Sequence, residues 1–303
     1  MKANEARVCV IGNAAIDMVF RVDHLPLAGE TSLAIETMHD FGGKGANQAV
    51  MAQRAGAQVQ LFAALGNDAD GDRFLARLVE EGIDTSHIAR LPCMTDMSIV
   101  TVDQRGENTI VTRNDAAARY VPSPGAVLDA TRSGDWIAMQ GNLNEGVTAE
   151  LLRHAHAGER HTLLNPGPVC FDCRPLLIHV DVLVVNRVEA ATLTRLESPE
   201  DAARSLRESG AGEVIVTLGS EGVLWCRPGR TALIPATRAN AIDTVGAGDA
   251  FCGVLLAALA QHLPMTVSLQ RAQAAAAFAV ARSGTQAAFP SRAELPGLFN
   301  SLT

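Results

Sequence analysis

The chain has 303 residues, enough to bury one large core with a small appendage, and it is 48% hydrophobic and 19% charged, which excludes a disordered chain. Its 25 Lys and Arg against 33 Asp and Glu give a net charge of -8, which argues against a general binder of nucleic acid or anionic membrane, since either needs a basic face. A local anion pocket stays compatible with that balance, because backbone amides build one without lysines.

Residues 1–7 lead straight into the strand-like Val8-Cys9-Val10-Ile11, with no apolar signal core. No apolar run is long enough to span a bilayer, so the chain reads as cytoplasmic. The scattered cysteines read as free thiols, and Cys170-x-x-Cys173 lacks a second pair to complete a zinc site.

In chain order, strand-like runs fall at 8–12, 59–64, 136–140, 162–165, 180–185 and 214–218. Helical runs follow most of them, at 45–55, 70–81, 148–156, 187–195, 199–209, 249–261 and 266–282. This alternation predicts a single α/β domain over 1–303, with a mostly parallel central sheet and helices on both faces. Two stretches, 16–38 and 94–112, show β-like segments without helices, broken by Pro26, Gly29 and Gly106. They predict a small antiparallel sheet, inserted as segments of about 13–40 and 92–115. A lid over the carboxyl ends of the main strands is the expected role, since ligands bind there.

Two glycine-rich turns each open a helix at the same end of that sheet. Asp243-Thr244-Val245-Gly246-Ala247-Gly248-Asp249 sets a carboxylate beside a helix N-terminus, whose unpaired N–H groups form an anion site. Taken alone, Asp249 reads as a helix cap. A hydroxyl attacking a phosphoryl group would explain both neighbours at once. Phe41-Gly42-Gly43-Lys44-Gly45-Ala46-Asn47 adds close backbone approach, a charge and an amide able to meet a sugar hydroxyl. It is neither a Walker A loop nor G-x-G-x-x-G, which also argues against an NAD-dependent dehydrogenase. Asn186 and Glu189, spaced i, i+3 at a helix start, suit a capping pair or a hydrated Mg²⁺, and spacing alone favours the cap. The loop from Thr217 to Gly222 suits phosphates and ribose, or a plain hairpin turn before 223–226. Asp17 follows the first strand and could accept from neighbouring sugar hydroxyls, or cap a turn.

Together these residues resemble the ribokinase-like, or PfkB, carbohydrate kinase family over almost the whole chain. Asp17, Gly42–Asn47, Asn186 with Glu189, Thr217–Ser220 and above all Asp243–Asp249 carry the likeness, with Leu164–Pro168 and Gly284-Thr285-Gln286 in support. The resemblance implies an α/β core with a β lid and transfer of the ATP γ-phosphoryl to a sugar or nucleoside hydroxyl. It implies Asp249 as base and Gly246, Ala247 and Gly248 as anion hole. It assigns Asp17, Gly43, Lys44, Asn47 and Asn142 to the sugar, and Asn186, Thr217, Gly219, Gly222 and Gln273 to the nucleotide. Glu189 would hold Mg²⁺ through water, Asp243 would help hold K⁺, and a homodimer would form through the lid.

Three positions depart from the family pattern. Ala15 replaces an Asn, Asn142 stands where a sugar-binding Glu is usual, and Ala288 stands where a cation-site hydroxyl is common. The acceptor therefore stays open among ribose and related furanoses or ketoses. A nucleoside kinase and a non-catalytic sugar-binding regulator are the alternatives. The polar Lys44 and Asn47 and an aromatic content of 4% favour a sugar over a base.

Overall fold

The computed structural model describes residues 7–105 and 107–300; residues 1–6, Gly106 and residues 301–303 lie outside the described residues. In chain order the strands are β1 (Val8–Ile11), β2 (Ala15–Arg21), β3 (Glu36–Gly42), β4 (Val59–Gly66), β5 (Ile88–Leu91), β6 (Asp96–Val102) and β7 (Asn108–Arg113). They continue with β8 (Trp136–Gln140), β9 (His161–Asn165), β10 (Val182–Asn186), β11 (Glu213–Thr217), β12 (Val223–Arg227) and β13 (Arg230–Ile234). The first helices are α1 (Lys44–Arg54), α2 (Ala69–Glu80), α3 (Asp115–Arg119), α4 (Pro124–Ala130) and α5 (Glu145–Ala157). The rest are α6 (Arg187–Thr194), α7 (Pro199–Glu208), α8 (Ala247–Ala260), α9 (Met265–Val280) and α10 (Leu295–Asn300).

Nine strands form the main sheet in the order β13-β12-β11-β10-β9-β8-β1-β4-β5. All pairings from β11 to β5 are parallel, and β12 and β13 are added antiparallel. Each parallel strand except the edge strand β5 is buried on both faces because its alternate residues enter two different cores. Val8, Val10, Leu61, Ala138 and Val184 pack under α1, α2, α8 and α9. Cys9, Ile11, Phe62, Met139 and Val185 pack under α3 to α7. Continuous apolar runs are what such strands require.

The smaller sheet has the order β3-β2-β6-β7. Its outer pairings are antiparallel, but the central β2–β6 pairing is parallel, unlike the all-antiparallel sheet expected. The reason lies in the connections. β1 and β5 run parallel in the main sheet and each feeds directly into a strand of the small one, so β2 and β6 leave in the same direction. β3 and β7 then turn back.

The half-buried edge strand β5, the β13 strand and the short helices α3, α4 and α10 were not foreseen. Helix α8 begins two residues before the expected start, so Asp249 sits inside its first turn.

Helices α1 and α8 cross almost in backbone contact at Gly253, where a Cβ would lie 2.5 Å from Met51 Cβ and 2.6 Å from the Gln48 carbonyl. Gly253→Ala is therefore expected to destabilise the protein although alanine is the better helix former. Overpacking of about 1–3 kcal/mol outweighs a propensity gain of roughly 1 kcal/mol. A lower urea midpoint at unchanged slope would show it; an unchanged or higher midpoint would mean the crossing can relax.

Candidate active site

The signature turn ends in a strained start to α8. Gly246 caps the helix with φ 76°, and a Cβ there would strike the Phe289 ring at 2.9 Å and press on Thr285. Only glycine meets both demands. Beyond it, the Gly248 N–H has no acceptor among the described residues, and the Ala247 N–H has only a long one, 3.4 Å from the Thr244 carbonyl. These donors and the helix dipole make a place for negative charge.

Asp249 lies just past them and is 5% exposed. All of its side-chain donors come from α1: Asn47 Nδ2 at 3.0 Å, Gln48 Nε2 at 3.3 Å and Lys44 Nζ at 3.6 Å. Helix α1 reaches this position because glycines let its first turn lie on the chain leaving β1. Gly43 has φ 84°, and a Cβ on Gly43 or Gly45 would collide with the backbone of residues 12–15. Asp249, then Glu189, raises the Lys44 ammonium above its ordinary value, so Lys44 stays charged. The Gln48 amide is held in turn: its Oε1 accepts from Gln140 Nε2 at 2.9 Å, and its Nε2 is shared between Asp249 and Asn165.

The small sheet brings a row of polar side chains over this cluster. Asp40, Asp17, Ser98 and Thr112 are register partners across β3, β2, β6 and β7, so all four share one face. Asp17 Oδ2 accepts from Thr285 Oγ1 at 2.8 Å. Burial lifts the Asp17 carboxyl to about 7, with Asp40 and Asp249 adding to the rise against the hydrogen bonds from Thr285 and Ser98. Asp40, absent from the sequence reading, also ties the small sheet to the body: Oδ2 accepts from the N–H groups of Thr285 and Ala287 at 2.8 and 3.1 Å. Gln286 Nε2 donates to Asn47 Oδ1 at 3.0 Å, so one loop touches both halves of the cluster.

On the far side of Ala247 and Gly248 opens a cavity of about 620 Å³. Thr217, Gly219, Gly222 and Gln273 line it, together with Ala247 and Gly248 themselves. The loop at Thr217 is thus both the β11–β12 hairpin turn and a cavity wall. Asn186 sits beside Thr217 in register but forms a capping box: its Oδ1 accepts from the Glu189 N–H, and Glu189 Oε2 accepts from the Asn186 N–H. That is the structural reading which spacing favoured. Glu189 Oε1 stays clear of this box and faces Gly167. Asp243 spends one oxygen on the Val245 N–H at 3.0 Å and the other on the Gly284 N–H at 3.2 Å. Asn142 is not among the donors to Asp249; its Oδ1 is buried without a partner.

Sequence reasoning missed Gln48, Gln140, Asn165, Asp40 and Thr285 as members of the cluster. A signal existed for Gln140 and Asn165, each a polar residue closing an otherwise apolar strand. Asp40 offered none, because only tertiary pairing brings it to Thr285.

A model described as the pfkB family of carbohydrate kinases matches residues 5–292. The ribokinase of Haemophilus influenzae is 32% identical over 292 residues, covering 94% of this chain and 95% of its own. The deoxyribokinase of Salmonella typhi is 31% identical over 303 residues, with 94% and 95% covered. Among solved structures, the ribokinase of Cryptococcus neoformans in complex with ADP superimposes with a TM-score of 0.85 at 26% identity, covering 97% of this chain and 99% of that one. The chain belongs to the pfkB family of carbohydrate kinases. It is therefore a phosphotransferase with an alcohol group as acceptor.

The raised Asp17 carboxyl has a measurable consequence. Between about 3.8 and about 7 the folded chain keeps a proton that the unfolded chain has lost. Stability from this group is full below that window and declines as pH rises through it. Urea unfolding at several pH values should show Asp17→Asn lacking that decline, so that its stability gains on the wild type as pH increases. Parallel curves for the two proteins would sink the assignment.

Proposed function

We propose that the chain transfers the γ-phosphoryl of ATP to a hydroxyl of a small sugar such as ribose or a related furanose or ketose, with Asp249 addressing that hydroxyl. One observation carries this reading. Asp249, the unpaired Gly248 N–H and the weakly bonded Ala247 N–H stand at the boundary between a nucleotide-sized cavity and the cluster of Asp17, Lys44 and Asn47. The acceptor rests on Asp17, Gly43, Lys44, Asn47 and Asn142, and the nucleotide on the wall of Thr217, Gly219, Gly222 and Gln273, with Asn186 bracing it from behind.

Phosphoryl transfer has a loose transition state, so the protein's contribution is position and charge. Asn47, Gln48 and Lys44 hold the Asp249 carboxylate still, and one of its oxygens orients the attacking hydroxyl and takes its proton as the bond forms. The N–H groups of the α8 turn meet charge building on the transferring group, an effect of about 2.7–4 kcal/mol per donor where it has been measured in other enzymes.

Glu189 Oε1 fits a Mg²⁺ held through water. Among the described residues no three metal-ligating side chains converge, which suits an ion that keeps its waters and takes its other ligands from nucleotide phosphates. When bound, Mg²⁺ neutralises phosphate charge. K⁺ fits less well: both Asp243 oxygens already accept backbone N–H groups and Ala288 brings no side-chain oxygen, so no step is assigned to it. The small sheet acts as a lid. Exposed Leu33, Ile35, Ile99 and Val111 on or beside its strands suit a homodimer formed through it. ATP chemistry and six unbridged cysteines suit the cytoplasm.

Asp249→Asn should lower kcat by about 10²–10⁴-fold with the sugar KM little changed. ADP release measured over a panel of pentoses, hexoses, ketoses and nucleosides tests both chemistry and acceptor. Turnover by Asp249→Asn within a few-fold of wild type would remove Asp249 from the reaction, and preference for nucleosides would replace the sugar. Because Asp17 must be ionised to accept sugar hydroxyls, sugar affinity should fall as pH drops from 8 to 6 across its value of about 7. Calorimetry in buffers of different ionisation enthalpy should find proton release on binding near pH 7; pH-independent binding would exclude Asp17 as a ligand.

A further inference from the structure

We propose that Asn114 is a substrate-binding residue, which with Asn142 receives sugar hydroxyls at the edge of the site remote from Asp249; this rests on the sugar-kinase reading above. Asn114 occupies the N-cap of α3, where asparagine is favoured because its side chain satisfies a free N–H of the first turn. Here the side chain makes no such bond. It turns away, and Nδ2 donates to the Asn142 carbonyl at 3.3 Å. That bond fixes the amide's orientation, since the flipped form would set two oxygens against each other. Among the described residues Asn114 Oδ1 is left buried without a partner, and so is Asn142 Oδ1. Two neighbouring buried acceptors with no donor form an arrangement that folded chains avoid unless something else supplies the hydrogens.

Their position says what supplies them. Asn114 follows the end of β7, two residues beyond Thr112, the last member of the row that runs from Asp40 through Asp17 and Ser98. Thr112 is two strand spacings, roughly 10 Å, across the small sheet from Asp17, and Asn114 lies further on. Asn142 follows Gly141, whose N–H donates to the Gly167 carbonyl at 3.3 Å, and Gly167 in turn lies against Lys44 Cε. The amide pair therefore closes the cluster of Asp17, Lys44 and Asn47 on its open side. Two carbonyl oxygens want O–H donors. They accept a neutral polyol, and they leave a sugar that is deoxygenated there, or carries a carboxylate there, without a partner for them.

The test is steady-state kinetics of Asn114→Ala on the best acceptor from the panel and on its monodeoxy derivatives. The sugar KM should rise about tenfold or more, with the ATP KM within twofold. One deoxy derivative, poor for the wild type, should lose nothing further in the variant, which a merely structural role would not produce. Asn114→Ser, a shorter side chain that retains an acceptor, should recover part of the loss. With no cap bond to lose, and only the 3.3 Å bond to the Asn142 carbonyl removed, Asn114→Ala should change the melting temperature little. An unchanged KM on every sugar that the wild type phosphorylates overturns the assignment. A uniform loss on all derivatives with a lowered melting temperature does so too. A wild type that phosphorylates no sugar instead strikes the kinase reading itself.

Discussion

A carboxylate buried at the start of a helix is the constraint on which this molecule is arranged. Asp249 is almost sealed from solvent, and an unmet buried charge costs several kcal/mol. Its side-chain donors all stand on α1, so α1 must cross α8 within backbone reach. That closeness explains the small residues on both sides. Gly253 admits Met51 and the Gln48 carbonyl, while Gly43 and Gly45 seat the start of α1 on the chain leaving β1. Removing any of these separates the donors from the acid they serve.

A second dependence runs through residues 283–287. This loop donates to Asp40 and Asp17 on the lid, to Asn47 at the sugar cluster and to Asp243 in the signature turn. Arg21 on β2 adds a bond to Ser283 at 2.7 Å. The small sheet, the Asn47 cluster and the signature turn thus share one short piece of backbone.

Much of this was legible in the sequence for a physical reason. Parallel strands buried on both faces need continuous apolar runs, and glycine turns that open helices must be written as glycines, so the main sheet, α1 and the α8 turn are visible locally. Edge strand β5 is half-buried and short, and it carries neither signal. The parallel β2–β6 pairing depends on which main-sheet strands feed the lid, information that no local pattern contains. Asn186 and Glu189 show the opposite limit, since the spacing that suggested an ion is satisfied by a capping box. Asp40 reads as one more acid in a polar strand until Thr285, distant in sequence, supplies its donors.

Charge usage explains how an acidic chain can serve an anionic donor. The side facing the cavity presents glycines, hydroxyls, apolar side chains and Arg238, while on the other side Lys44 meets Asp249. That ammonium is informative. Lys2 and Lys44 are the only lysines, and every other basic side chain apart from histidine is an arginine. A chain that otherwise builds its cations from planar guanidinium forks keeps a lysine where it meets Asp249. A compact charge with three rotatable donors can face Asp249 and keep donors to spare, whereas a fork would pair with the carboxylate through two bonds and occupy both of its oxygens. The residue beside the acid thus holds it without saturating it.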